Sequence, residues 1–114
     1  MSGVTDIAPS RLRRHLSNVC GRLDVLIDRR TEGSLHPRLG KRALRALLVD
    51  MQRACERHEH LYGAGVDAHR VRLMTDEIAV HIETALETND RDDFLVALGD
   101  ARTWAGRWLA TLGG

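Results

Sequence analysis

The sequence predicts an all-α protein, an antiparallel up-down four-helix bundle, on three observations. Apolar residues recur at spacings of three and four in four separate segments, the pattern of helices that bury one face. The joints between the segments are short and carry Gly, Pro, Asn or Asp, so consecutive helices are expected side by side and reversed in direction. No stretch alternates with the two-residue period of a strand, and β-branched residues are sparse.

The first segment carries Leu12, Leu16, Val19, Leu23 and Leu26, a heptad seam. Pro9 and Ser10 supply a start, because a serine hydroxyl can accept from the free N–H groups of a first turn. The expected division is a disordered tail at residues 1–8 and a single four-helix domain at 9–114. Gly21 interrupts the first helix at a cost of about 1 kcal/mol against Ala, and offers room for close helix approach. Thr31-Glu32-Gly33-Ser34 ends the helix, and Pro37 keeps the next from starting early. The second segment carries Leu44, Leu47, Leu48, Met51, Cys55 and Leu61, with Gly63 and Gly65 as its stop. The third uses Val71, Met74, Ile78, Ile82 and Ala85. After the joint Thr88-Asn89-Asp90, either Asn89 or Asp90 can cap the fourth helix, whose first turn holds Asp92 and Asp93 where the dipole favours them. That helix buries Phe94, Leu98, Ala101, Ala105, Trp108 and Leu112.

Composition narrows the function classes. The chain has 114 residues, 43% apolar and 29% charged, which fits one folded domain rather than a disordered polyelectrolyte. Its longest unbroken apolar run, Phe94–Leu98, is five residues, too short for a membrane span or a secretory signal peptide. Two cysteines, Cys20 and Cys55, are too few for a disulfide scaffold. They are expected as free buried thiols in a reducing, cytoplasmic setting.

Charge is unevenly spread although the net value is only +1. Residues 1–60 hold 12 basic and 7 acidic side chains, residues 61–114 hold 5 and 9. On the first helix Arg11, His15, Asn18, Arg22 and Arg29 form a polar stripe beside the seam. Packing the first two helices side by side gathers Arg29, Arg30, Arg38, Lys41, Arg42 and Arg45 at one pole. Six cations there could track a phosphate backbone or meet an acidic protein, without base specificity. The plainer explanation is a GC-rich coding bias, since 16 of the 17 basic residues are arginine. Four aromatic residues are too few for base-stacking platforms.

Catalytic and metal patterns are thin. Arg53-Ala-Cys-Glu-Arg-His58 resembles the Arg-x4–6-His element of HEPN ribonucleases, and His60 extends it to six intervening residues. There a histidine would move protons while Arg53 stabilises a phosphoryl transition state. Chance alone supplies about 0.8 such pairs per spacing at this arginine and histidine content. Glu77 and His81 share a helix face, but His58 and His60 point apart and no Glu-x-x-His or Cys-x-x-Cys motif exists. No metal, no cofactor and no nucleophilic triad is therefore expected, and the chain reads as a non-enzyme. Trp104, Trp108 and Leu109 are either core residues or part of a protein interface.

The carboxyl-terminal half, with Met74-Thr-Asp-Glu-Ile78 and then Asp100-Ala-Arg-Thr-Trp-Ala-Gly-Arg-Trp108-Leu109, resembles the accessory variability determinant proteins of diversity-generating retroelements. Their last helix commonly carries a glycine shortly before a tryptophan, matched by Gly106 and Trp108, with Arg107 where a second glycine is usual. The resemblance implies a small basic four-helix bundle that forms homo-oligomers and binds both a reverse transcriptase and nucleic acid. Taken together, the expected function is a non-catalytic binding subunit acting through the basic pole. An RNase using Arg53 with His58 or His60, and a protein-interaction module or inhibitor from a phage or defence system, are the alternatives.

Overall fold

The computed structural model describes residues 2–62 and 66–113, with side chains described for 11–60 and 69–112. Among the described residues every regular element is a helix: α1 (Ser2–Glu32), α2 (Pro37–Tyr62), α3 (Val66–Glu87) and α4 (Arg91–Gly113). The helix α1 begins ahead of the start expected at Pro9 and Ser10. The side chains of the expected tail, residues 1–8, and of Leu61 lie outside those described, as do Gly63 and Gly65.

Each described helix end has a chemical cause. At the end of α1, Gly33 takes φ +78°, the left-handed region that an L side chain resists. Its N–H donates to the Arg30 carbonyl at 3.2 Å, and the Ser34 N–H donates to the Arg29 carbonyl at 2.9 Å. This pair of reversed bonds closes the helix and satisfies two of its orphan carbonyls. Pro37 is the first residue of α2, where its missing N–H costs nothing. The cap is His36, whose Nδ1 accepts from the Arg38 N–H at 3.1 Å. At α4 the cap is Asp90 rather than Asn89: its Oδ1 accepts from the Asp93 N–H at 2.9 Å. Asn89 instead accepts from Lys41 Nζ at 2.9 Å, linking the α3–α4 joint to α2.

One apolar cluster draws on all four helices. Leu16, Val19, Leu23, Leu44, Leu47, Met51, Ile78, Ile82 and Leu98 are fully buried at its centre. These are the positions that helical spacing selected. Leu12, Leu48, Trp108 and Leu112 are half-buried against the same core. Two further residues fill it from the end where α2 begins. Leu35, in the α1–α2 joint, is buried, and Gly40 lets α2 sit down on it. A Cβ at Gly40 would lie 3.0 Å from Leu35 Cδ2 and 3.5 Å from Phe94 Cζ, so only glycine allows that approach without displacement.

The helices pack unequally. Contact is extensive between α3 and α4, between α1 and α4, and between α2 and α3, but sparse between α1 and α2. The molecule measures 50 × 22 × 17 Å.

Candidate nucleic-acid interface

The six cations of the expected pole lie on the last turn of α1 and the first turns of α2. Arg29, Arg38, Arg42 and Arg45 are exposed, whereas Arg30 and Lys41 are half-buried. Arg30 and Lys41 line a small cavity of about 40 Å³ with Leu35, Gly40, Asn89 and Phe94. Sequence reasoning missed a seventh cation, Arg91, which belongs to this end. Its Nη2 donates to the Thr31 carbonyl at 2.7 Å and its Nε to the Arg30 carbonyl at 3.4 Å. Arg91 thus neutralises the partial negative charge at the end of α1 from a different helix. Carboxylates share this end too: Asp28 and Glu32 on α1, and Glu87, Asp90, Asp92 and Asp93 around the α3–α4 joint. The pole is mixed in sign throughout, with cations in excess on its α1–α2 side, where only Asp28 and Glu32 stand among the six basic residues.

The sparse α1–α2 packing leaves an open groove. Small and polar residues line it on two levels, Gly21 and Ala43 bordering the first and Asn18 and Ala54 the second. The first level opens a shallow depression of about 550 Å³ with Arg22, Val25, Leu26 and Arg29 on its walls. The second forms a cavity of about 450 Å³ lined by Arg11, Leu12, Arg14, His15, Asn18, Ala54, Arg57 and His58. Asn18 borders both depressions, and beyond it toward the pole the Arg22–Asp50 ion pair bridges the two helices. Gly21 does not bring helices close, contrary to expectation: nothing lies within 4 Å of where its Cβ would be, because it borders this groove.

The α1 wall is the polar stripe visible in the sequence. The α2 wall, with Arg57 and His58, was not foreseen. Arg22 donates to Asp50 at 2.7 Å, an ion pair that spans α1 and α2. That hydrogen bond, with the nearby Arg22 and Arg53 charges, holds the Asp50 carboxyl below the ordinary aspartate range. Burial lowers the proton affinity of His15; Arg22 and Arg57 lower it further, against an opposing pull from Asp50. At neutral pH the groove therefore holds fixed guanidinium charge and a largely uncharged His15.

The other sequence candidates separate. Arg53 is exposed and lines neither depression, His58 is buried in the groove, and His60 is exposed. Helical geometry turns Arg53 away from His58, and Arg57 is the α2 arginine that lines the cavity with it. Glu77 accepts from the Trp108 indole N–H at 2.8 Å, which ties α3 to α4. Trp104, Trp108 and Leu109 are all half-buried against the core, and the Arg107 guanidinium stacks 5.1 Å from the Trp104 ring centroid. Cys20 and Cys55 are buried free thiols whose proton affinity is raised by burial. No family model, curated protein or solved structure matches the chain.

Proposed function

We propose that this chain is a non-catalytic helical binding subunit whose α1–α2 face engages the phosphate backbone of nucleic acid. The observation that carries the proposal is the cationic α1–α2 face, two adjoining depressions walled by Arg11, Arg14 and Arg57 and by Arg22 and Arg29, beside the pole of Arg29, Arg30, Arg38, Lys41, Arg42 and Arg45. A second feature supports it. The first turn of α2 contains no acidic residue and begins a run of Arg38, Lys41 and Arg42, against the preference of a helix N-terminus for negative charge. An external anion relieves that repulsion.

The bundle is read as antiparallel and up-down. In support, Asp24 of α1 meets Arg102 of α4, while Thr31, further along α1, meets Arg91, earlier on α4. Likewise α1 residues Arg14 and His15 share a cavity with Arg57 and His58 of α2, while Arg29 shares one with Ala43. The resemblance noted above adds a protein partner, a reverse transcriptase, and assembly as a homo-oligomer; the face that carries Trp104, Trp108 and Leu109 is our candidate surface for either contact. Two buried free thiols fit a cytoplasmic setting.

The test is electrophoretic shift and anisotropy with labelled DNA and RNA over a salt series. The wild type is expected to bind with a steep salt dependence, and neutralising Arg38, Arg42 and Arg45 to glutamine to weaken binding while helicity is kept. Absence of binding at low salt overturns the proposal, and saturable binding of an acidic protein in its place assigns the face to that partner. A second reading, an RNase, draws on the position of His58 in a cationic groove, where Arg57 rather than Arg53 lies beside it. Cleavage of labelled RNA that His58→Ala or His60→Ala abolishes would establish it.

A further inference from the structure

We infer that the α1–α2 slot formed by Arg11, Arg14, His15, Asn18, Arg57 and His58 seats the phosphates of single-stranded nucleic acid and excludes a duplex; this rests on the nucleic-acid reading above and names its substrate class. Among the described residues, three guanidinium groups, two imidazoles and a side-chain amide border the slot, and no carboxylate does. The ion pairs among the described residues engage Arg22, Arg72 and Arg102, leaving Arg11, Arg14 and Arg57 outside them. Their charge is available to an external anion, and an anion is what the slot is built to hold.

Shape then selects the form of the polyanion. The slot lies in the seam between two neighbouring helices, α1 and α2. Its volume, about 450 Å³, is that of a small-ligand pocket. A duplex offers a major groove about 12 Å wide that admits one helix, not the seam between a pair. A single strand can instead lower successive phosphates into the seam as far as Asn18, short of the Arg22–Asp50 pair that bridges α1 and α2. Among the described residues no aromatic side chain lines the slot, and the phosphate contacts named here carry no preference for sequence.

The experiment is fluorescence anisotropy of the full chain with labelled oligothymidylate of about 20 nucleotides and with a duplex of equal length, each over a salt series. Release of counterions from a single strand contributes a slope of about 0.7 per phosphate contact. At about 0.15 M salt, loss of one contact then weakens binding about fourfold. The variant Arg14→Gln/Arg57→Gln is expected to bind oligothymidylate about 15-fold more weakly, with a salt slope smaller by about 1.4. Tighter binding of the duplex by the wild type overturns the inference. So does a double variant that matches the wild type within twofold; in both cases the nucleic-acid reading survives. No binding of either probe by the wild type ends both. Should the double variant lose helicity, the wild type decides alone: the side-chain amide resonances of Asn18 must shift on titration with oligothymidylate, and unmoved Asn18 signals amid other shifts refute the slot.

Discussion

Replacing Trp108 with phenylalanine removes the single donor that joins α4 to Glu77 of α3. A hydrogen bond to a charged acceptor contributes about 1.5–3 kcal/mol when sheltered. Both partners here are half-buried, so water takes back part of it and about 1 kcal/mol remains. The smaller ring also gives up about 40 Å² of apolar contact, worth about 1 kcal/mol. The expected total is about 2 kcal/mol, or a fall in Tm of about 8 °C for a domain of this size. The assay is urea unfolding of a double-mutant cycle with Glu77→Met. The cycle cancels the ring-size effect and isolates the bond, for which a coupling of about 1 kcal/mol is expected. Additivity within about 0.3 kcal/mol would refute the claim that this bond locks the two helices.

Three further outcomes follow from geometry already described. His15 has its proton affinity lowered by burial, so its stabilising contribution is fully present above the unfolded histidine value of about 6.5 and is lost as pH falls through its lower folded value. Stability of the wild type should therefore drop across mildly acidic pH, and His15→Gln should flatten that drop; an unchanged profile, or an NMR titration of His15 at the ordinary value, contradicts this. Gly33→Ala forces an L side chain to φ +78° and should cost about 1–2 kcal/mol in chemical denaturation, although no atom lies within 4 Å of the added methyl group; a neutral result would mean the turn relaxes. Cys20 and Cys55, buried and with raised proton affinity, should label slowly with a thiol reagent at neutral pH and rapidly in urea; fast native labelling of either would show that the core around it opens.

Helical spacing located most of the core because burial of one stripe is a local property of a helix. Leu16, Val19, Leu23 and Leu26 on α1 and Met74, Ile78 and Ile82 on α3 are all buried as their spacing requires. Leu35 escaped because it stands in a joint, outside any periodic segment, and its burial depends on Gly40 and Phe94 coming to it from elsewhere. The His36 cap escaped because histidine is not among the residues that usually cap. For the candidate site, the α1 wall was legible as a stripe of Arg11, His15, Asn18, Arg22 and Arg29. The opposite wall was not, since placing Ala54 and Arg57 beside Asn18 and Asp50 beside Arg22 needs the relative register of two helices, which spacing within either one does not contain. Arg91 was hidden for the same reason: its partners are backbone carbonyls 60 residues away.

The uneven packing of α1 has a consequence for how the chain is made. Its broadest partner, α4, is translated three helices later, while the neighbour that emerges next, α2, offers it little surface. Through most of synthesis, α1 carries an uncovered row of leucines, and only the arrival of Arg91 and the residues after it can shield them. A ribosome paused before that point would present a sticky, unfinished half-molecule to chaperones and proteases.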